Sequence, residues 1–289
     1  MSFKIITDSS CNLTEETIDE LGLHILTLAY FVNDVEHLSY IPGQKFDFDA
    51  FYGKLKEKAS VRTSQVTPPQ AREAIQPLLE EGHDVLYVGF SSGLSGTFSA
   101  VALTLEELKD EFPDRKILYV DTLAASAGQG MLVLETARQR DAGKPVEEVH
   151  AWLEANKLNV CHYFTVDDLW HLHRGGRLSA GKALMGTMLS VKPILCVNEI
   201  GKLVPVGKAK GRKKSLDFIV DKMAEGIDTS LCDTVYAIYS SDVADAEYLT
   251  EQAKARVPGI KSGHVRLEPV IGCHGGPGIC ALIYMGKNR

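Results

Sequence analysis

The segment Val85-Leu86-Tyr87-Val88-Gly89-Phe90-Ser91-Ser92-Gly93-Leu94-Ser95-Gly96-Thr97 decides the fold class of this chain. Its first six residues are apolar or glycine, which is typical of a strand covered on both faces of a sheet. Small hydroxylic residues and glycines follow, and then an apolar stripe at Ala100, Leu103, Leu105 and Leu108. A strand, a polar loop and a helix in this order predict a parallel sheet with right-handed crossovers.

The same alternation extends over the first half of the chain and changes in the second half. A long apolar run at His24–Val32 predicts one strand, and residues 124–143 predict a long helix. In the second half, Asn198-Glu199-Ile200-Gly201-Lys202 predicts a hairpin turn between two strands. We therefore predict an α/β protein with an N-terminal domain, 1–160, that has a parallel sheet and flanking helices. A C-terminal α/β domain, 161–289, would have a mixed sheet.

Composition and charge exclude several classes of protein. The 289 residues carry a net charge of −7, and phosphate neutralisation requires a basic face, so nucleic acid is not expected as a partner. No apolar run reaches the ~20 residues of a membrane span, and no signal peptide is visible. The six cysteines form no C-x-x-C pair, which favours reduced thiols over disulfides or a metal site. We expect a cytoplasmic protein without a metal or cofactor.

Four polar or glycine-rich segments are expected at the carboxyl ends of predicted strands, where open α/β sheets bind ligands. These segments are Thr7–Ser10, Thr63–Pro69, Phe90–Thr97 and Gly272–Gly278. Helix capping explains part of this pattern, since Thr67 precedes Pro68 and Asp8 can cap a turn. Thr63 and Ser64 lie upstream of that cap, so loop solvation and ligand binding both remain open for them.

Hydroxyls and an imidazole are the candidate ligands for an anion. Ser92 and Ser95 lie at a predicted helix N-terminus, which favours anion binding over plain capping. His274 lies among four glycines, which predicts a tight, exposed turn that presents its imidazole. Arg174 and Arg177 lie in a segment that joins two predicted helices, and either could hold an anion or bridge the domains.

A cluster of basic residues stands apart in this acidic chain. It consists of Lys208, Lys210, Arg212, Lys213 and Lys214. A solvated surface explains such a cluster as well as docking to an acidic partner or to a membrane surface does.

The ordered series of these segments resembles the signature of the DegV family. The resemblance extends over almost the whole chain and rests on the following stretches: Thr7-Asp8-Ser9, Thr63-Ser64-Gln65, Ser91–Thr97, Val120-Asp121-Thr122, Ala125-Ser126, Phe164-Thr165-Val166, Arg174-Gly175-Gly176-Arg177, Val191–Leu195 and Gly272–Gly278. Val66 departs from the family pattern, where proline is common, and Cys273 and Gly275 stand where threonine is common. These departures affect the shape of the pocket rather than the headgroup site.

This resemblance implies a bacterial protein that binds a long-chain fatty acid and is not itself an enzyme. Thr63, Ser95 and His274 would hold the carboxylate, with Ser64, Ser92, Arg174 and Arg177 in support. A separate fatty acid kinase would phosphorylate the bound acid, and the acyl phosphate would feed phospholipid synthesis. Apolar residues that could line the acyl tunnel serve equally well as ordinary core residues: Phe164, Leu184, Met185, Met188, Leu189 and Ile194.

Two alternatives belong to other functional classes. Gly89-Phe90-Ser91-Ser92-Gly93 matches the G-x-S-x-G elbow of serine hydrolases, with His274 far downstream as a candidate base. The possible third members of such a triad are Asp167, Asp168, Asp233 and Asp242. A binding module for a phosphorylated metabolite would use the same anion-binding loop.

Overall fold

The structure is a computed structural model that describes residues 3–178, 190–287 and 289. Its strands, β1 to β13 in chain order, are Lys4–Asp8, His24–Leu26, Ala29–Val32, Val35–Leu38, Val61–Ser64, Val85–Gly89, Ile117–Asp121, Val160–Thr165, Val191–Val197, Leu203–Lys210, Thr234–Tyr239, Lys261–Arg266 and Cys280–Met285. Its helices, α1 to α10, are Glu15–Glu20, Phe48–Lys56, Pro68–Glu80, Thr97–Glu111, Ala127–Asp141, Val146–Asn156, Trp170–Arg174, Arg212–Gly226, Val243–Arg256 and Pro269–Gly275.

The first sheet is parallel, as predicted, with the strand order β2-β1-β6-β7. Every residue of β6 is buried because alternate side chains enter two different cores. Val85 and Tyr87 pack in a cluster with α3 and α4, whereas Leu86 and Val88 belong to the cluster that contains α5 and α6 residues. The continuous apolar run thus reflects helices on both faces of the sheet.

A second, antiparallel sheet of three strands, β4-β3-β5, was not predicted. The run His24–Val32 forms two strands in two sheets, because the backbone leaves the parallel sheet near Thr27. The Leu28 N–H then donates to Ser9 Oγ at 3.0 Å instead of to a strand. This second sheet pairs Tyr30 with Thr63 and thereby fixes the Thr63 segment as a strand end.

The third sheet, called sheet C here, is mixed, as predicted, with the order β10-β9-β8-β13-β11-β12. Only the β11–β12 neighbours are parallel among its described strands. Asn198 stabilises the predicted hairpin turn because its Oδ1 accepts the N–H groups of Ile200 and Lys202. One face of the sheet packs on α8 and α9, and the other contributes to the same core as the N-terminal half.

The boundary region contains a helix that the sequence pattern did not reveal. Helix α6, Val146–Asn156, follows Pro145 and packs against α5 and β7. The predicted helix over 124–143 begins only at Ala127, since Ser126 has φ 54° and ψ −139°. The proposed boundary, between residues 160 and 161, falls just after the first residue of β8. The division into domains 1–160 and 161–289 stays a prediction, and one core cluster contains residues from both halves.

None of the six cysteines forms a disulfide with another described residue, and reduced thiols stay a prediction. Among the described helices, none is long and apolar enough to cross a membrane. Several predicted elements lie outside the described residues, namely the helical stretch after Leu178 and the tunnel candidates Leu184, Met185, Met188 and Leu189.

Candidate functional site

A cavity of about 360 Å³ lies between loops of the N-terminal half and sheet C. Its volume falls within the range of small-molecule sites in proteins. On one side, strands of sheet C contribute what we call the sheet C wall: His162, Phe164, Val197, Leu203, Ile238, Ala281 and Ile283. The register places Phe164, Ala281 and Ile238 side by side on three adjacent strands. The wall is therefore mostly apolar and continuous.

Five of the seven predicted site residues line this one cavity. We call them the polar cluster: Thr63, Ser64, Ser95, Arg177 and His274. Thr63 Oγ1 lies 2.9 Å from His274 Nε2, although the two residues are 211 positions apart in the chain. Hydroxyls and an imidazole from distant segments thus converge beside an apolar wall.

Two contacts hold the Thr63 and Ser95 segments together. The Val66 N–H donates to Thr97 Oγ1 at 3.3 Å. Gly96 packs so closely on Gln65 that a Cβ at this position would overlap Gln65 Oε1. A larger residue at position 96 would therefore displace the Gln65 amide from its present position.

Ser95 lies two residues before the first residue of α4, and its hydroxyl has only a local partner. Ser95 Oγ donates to Thr97 Oγ1 at 3.0 Å and accepts the Thr97 N–H at 3.2 Å. The N-cap residue, Gly96, has no side chain with which to cap the helix. A rotation of the Ser95 hydroxyl would add a donor to this helix N-terminus, which favours a bound anion.

His274 lies in the last turn of helix α10, and not on the exposed turn that the glycines predicted. Glu268 begins this helix by accepting the N–H groups of Val270 at 2.7 Å and Ile271 at 2.6 Å. The imidazole packs against Gly175, where a Cβ would overlap Nδ1. Burial, and then the charges of Arg177 and Arg174, lower the pKa of His274 to about 3. The imidazole is therefore neutral at physiological pH.

A neutral His274 can set the direction of the Thr63 hydroxyl. In the tautomer with the proton on Nε2, the imidazole donates to Thr63 Oγ1. The Thr63 O–H is then free to donate to another acceptor in the cavity. A carboxylate only accepts hydrogen bonds, so this arrangement suits a carboxylate ligand.

The two predicted arginines differ in position. Arg177 is half-buried in the cavity lining, where Nε donates to the Leu94 carbonyl at 3.0 Å and Nη1 to the Gly175 carbonyl at 2.5 Å. Arg174 is exposed and does not line the cavity. Ser92 is also exposed outside the lining, and its N–H donates to Asp121 Oδ1 at 3.2 Å. The roles of Arg174 and Ser92 stay predictions.

Ser91 lacks the surroundings of a hydrolase nucleophile. The residue is 0% exposed, and its hydroxyl donates to the Gly201 carbonyl at 2.8 Å. It does not line the cavity, whereas His274 does. The aspartates considered for a triad have other partners, namely Lys192 for Asp167, the Trp170 N–H for Asp168, Lys261 for Asp233 and the Ala244 N–H for Asp242. The geometry therefore does not favour the hydrolase alternative.

Three polar lining residues were not predicted as site residues: Gln65, Ser126 and His162. Gln65 and Ser126 occur in stretches that resemble the DegV signature, so their position in the sequence was a usable signal. His162 was hidden within the apolar run of β8, where a single histidine two residues before Phe164 faces the same side. Over residues 3–178, 190–287 and 289, no group of His, Cys, Asp and Glu side chains could hold a metal ion.

The basic cluster divides into paired and unpaired side chains. Arg212 forms an ion pair with Asp245 at 2.6 Å, and Lys213 one with Asp217 at 3.1 Å. Lys208, Lys210 and Lys214 are exposed and form no ion pair with a described residue. These three lysines are the part of the cluster that a partner could contact.

Comparisons with known proteins agree with this geometry. A family model described as "Uncharacterised protein, DegV family COG1307" matches residues 2–287. A DegV domain-containing protein of Clostridium perfringens is 38% identical, and the match covers 99% of this chain and 98% of the relative.

Solved structures show the same fold over the full chain. A DegV family protein from Thermus thermophilus, described for its fatty acid binding, has 29% identity and a TM-score of 0.84, with coverage of 99% of this chain and 100% of that chain. A fatty-acid-binding DegV family protein from Streptococcus agalactiae has 28% identity and a TM-score of 0.85, with full coverage of both chains. The sequence and fold matches agree over nearly every residue, and the chain belongs to the DegV family.

Proposed function

We propose that this protein binds a long-chain fatty acid and presents its carboxylate to a separate fatty acid kinase, which forms an acyl phosphate for phospholipid synthesis. It acts as a lipid carrier and is not itself an enzyme. The observation that carries this proposal is the meeting of Thr63, Ser95 and His274 in the lining of one apolar cavity. Relatives of the same fold are described as fatty-acid-binding proteins.

The energetics suit a carrier. Burial of an acyl chain of about 16 carbons at about 0.8 kcal/mol per CH₂ contributes on the order of 10 kcal/mol. Lost translational freedom and chain ordering offset several kcal/mol of this gain. Binding is then tight but reversible, which a protein that delivers its ligand requires.

Hydrogen bonds from the polar cluster offset the free-energy cost of removing the carboxylate from water. The hydroxyls of Thr63 and Ser95 donate to its oxygens, and the α4 N-terminus adds a favourable dipole. Ser64 and Arg177 line the same region and support the site, with Ser92 and Arg174 further out. Because these donors leave the acid ionised, one carboxylate oxygen can attack the γ-phosphorus of ATP bound to the kinase. A P–O bond to the acyl oxygen forms, and ADP leaves.

Native mass spectrometry of the protein purified from bacteria tests ligand binding. We expect a co-purifying mass that matches a fatty acid of long chain length. An apo spectrum that stays apo after incubation with such acids would contradict the proposal. Release of product from a chromogenic short-chain ester, lost in Ser91→Ala, would support the hydrolase alternative instead.

The lysines of the basic cluster are the proposed contact with the kinase or a membrane surface. Charge reversal of Lys208, Lys210 and Lys214 to glutamate should reduce acyl phosphate formation, trapped as the hydroxamate, and leave fatty acid binding unchanged. The control is a reversal of Lys54, Lys56 and Lys58 in the N-terminal half, which are exposed and form no ion pair with a described residue. Equal rates of acyl phosphate formation in the two triple variants would mean that Lys208, Lys210 and Lys214 do not form the contact.

A further inference from the structure

The predicted ligand-binding segment Thr7–Ser10 contributes no residue to the described lining of the cavity. It ends β1, and Thr7 lies in register with Val88 on β6. The side chains of Thr7, Asp8 and Ser10 are nevertheless polar and fully buried. Buried polar groups need hydrogen-bond partners, so these side chains serve contacts inside the protein.

One carboxyl oxygen of Asp8 holds the end of β6, where the loop to Ser95 begins. Asp8 Oδ2 accepts the Phe90 N–H at 3.0 Å and the Tyr87 hydroxyl at 3.0 Å. Further along this loop, the Ser95 N–H donates to the Ser91 carbonyl at 3.2 Å. Asp8 therefore fixes the first residue of a short loop that carries a hydroxyl of the polar cluster.

The same loop is held from the opposite side as well, because β6 lies between β1 and β7. On the β7 side, Asp121 Oδ1 accepts the Ser92 N–H at 3.2 Å, and the Ala124 carbonyl accepts the Ser91 N–H at 3.0 Å. On the β1 side, the hydrogen bond from the Phe90 N–H to Asp8 has this role. Removal of the Asp8 carboxyl group would release Phe90 from β1.

The directions of the surrounding hydrogen bonds indicate that Asp8 carries a proton. Gln129 Nε2 lies 3.0 Å from Thr7 Oγ1 and 3.4 Å from the Val88 carbonyl oxygen. Gln129 thus presents Oε1, which only accepts, to the Ser10 hydroxyl at 3.0 Å, and the single proton of Ser10 is used there. Ser10 Oγ also contacts Asp8 Oδ1, and the proton of this second hydrogen bond comes from Asp8.

The surroundings of Asp8 favour this neutral form. Burial raises the pKa of its carboxyl group and outweighs the hydrogen bonds from Ser10, Phe90, Gln129 and Tyr87, and no described cation is among the groups that shift it. An asparagine can therefore replace a protonated Asp8. Its amide NH₂ donates to Ser10 Oγ, and its oxygen accepts from Phe90 and Tyr87.

We propose that Asp8 is a positioning residue of the headgroup site, which as a protonated acid holds the Ser95 loop against β1. It acts through Ser95 and does not line the cavity. This inference rests on the proposed function, since it concerns how the protein binds the fatty acid carboxylate. Release of the loop misaligns the Ser95 hydroxyl with the carboxylate, whereas the sheet C wall comes from other elements.

The test compares the affinities of the protein for palmitic acid and for hexadecanol, which has a similar tail without a carboxylate. Asp8→Ala should lower the affinity for palmitic acid relative to hexadecanol about tenfold, as for one lost hydrogen bond to a charged group. Asp8→Asn keeps an acceptor for the Phe90 N–H and should retain the wild-type ratio of the two affinities. Thr136→Val removes a buried hydroxyl within α5 and is the control, with an unchanged ratio.

Equal changes for palmitic acid and hexadecanol in Asp8→Ala would overturn the positioning role and leave the proposed function in place. Where Asp8→Ala fails to fold, the double variant Asp8→Leu, Tyr87→Phe fills the space and leaves no tyrosine hydroxyl without a partner. It is compared with Tyr87→Phe alone, and the same tenfold change in the ratio is expected. Wild-type protein that binds no long-chain acid would overturn the proposed function, and this inference with it.

Infrared difference spectra of wild type and Asp8→Asn at neutral pH test the protonation of Asp8 independently of ligand binding. We expect the carbonyl stretch of a protonated carboxylic acid in wild type and its loss in Asp8→Asn. A carboxylate band in its place, or a ratio of affinities in Asp8→Asn as low as in Asp8→Ala, would overturn the protonated form.

Discussion

The polar cluster and the sheet C wall form the same cavity but arise from different kinds of sequence. Thr63, Ser95 and His274 are polar residues in or next to short segments at element ends, so each differs from its surroundings in the sequence. The wall comes from strands such as β13, in which every residue is buried. The residues of the proposed headgroup site can therefore be picked out in the sequence, whereas the wall that would contact the acyl chain cannot.

We expect the largest loss of fatty acid affinity when a bulky side chain on the sheet C wall fills part of the cavity. Ala281 is 8% exposed and lies between Phe164 and Ile238 in register. Ala281→Trp would exclude about four CH₂ groups of a long chain from burial. At about 0.8 kcal/mol per CH₂ this costs about 3 kcal/mol, or roughly a hundredfold in affinity. Titration calorimetry with palmitic acid measures the loss.

Chain length provides the control for this variant. A short acid such as octanoic acid should lose much less affinity in Ala281→Trp, because its tail need not reach the filled region. Thermal unfolding of the variant shows whether overpacking has damaged the fold. An equal loss for both acids would mean that Ala281 does not limit the tail.

We expect a smaller loss of affinity when a hydroxyl of the polar cluster is removed. Thr63→Val keeps the shape of the side chain and removes one hydroxyl, and Ser95→Ala removes the other. Each should weaken binding of palmitic acid about tenfold to a hundredfold, since a hydrogen bond to a charged group contributes about 1.5–3 kcal/mol. Ser92→Ala is the control on the same loop, since Ser92 is exposed and outside the lining. Equal losses of palmitic acid affinity in Ser92→Ala and Ser95→Ala would contradict the expectation that only Ser95 binds the carboxylate.

The smallest effect concerns the contribution of His274 to the unfolding free energy of the protein as the pH changes. His274 has a pKa of about 3 in the folded protein against an ordinary value of 6.5. Between these values the unfolded chain binds more protons, so the contribution of a neutral His274 to stability is present above pH 6.5 and is lost as the pH falls. His274→Gln removes this titration.

Urea unfolding at pH 7.5 and pH 5.5 measures the difference in unfolding free energy between wild type and His274→Gln. We expect this difference to shrink by about 1–2 kcal/mol at the lower pH. His162, which also has a lowered pKa, is present in both proteins and cancels from the comparison. A difference that does not change with pH would mean that His274 is not held neutral by its surroundings.

The wall shows why the sequence predicted only part of the site. Phe164 and Ile194 were equal candidates for the acyl tunnel, yet Phe164 lines the cavity and Ile194 packs in the other core with α8. In strands buried on both faces, the alternation that normally distinguishes the two sides is absent. His162 was hidden for the same reason, since only the strand register shows which face it occupies.

The fold was predictable where one sequence pattern corresponds to one helix, strand or turn. β6, α3 and the hairpin at Asn198–Lys202 follow from local sequence signals. The run His24–Val32 gave no sign that it would divide between two sheets, because both parts are apolar and the hydrogen bond at the division joins Leu28 to Ser9, 19 residues earlier in the chain. The position of His274 in a helix likewise depends on the Glu268 cap, six residues before it.

A crystal structure of the protein loaded with palmitic acid would show whether one cavity holds both the carboxylate and the acyl chain. We expect one carboxylate within hydrogen-bond distance of Thr63 Oγ1 and Ser95 Oγ, with the chain running along Phe164 and Ala281. A carboxylate bound elsewhere, or a chain that does not contact the sheet C wall, would contradict it.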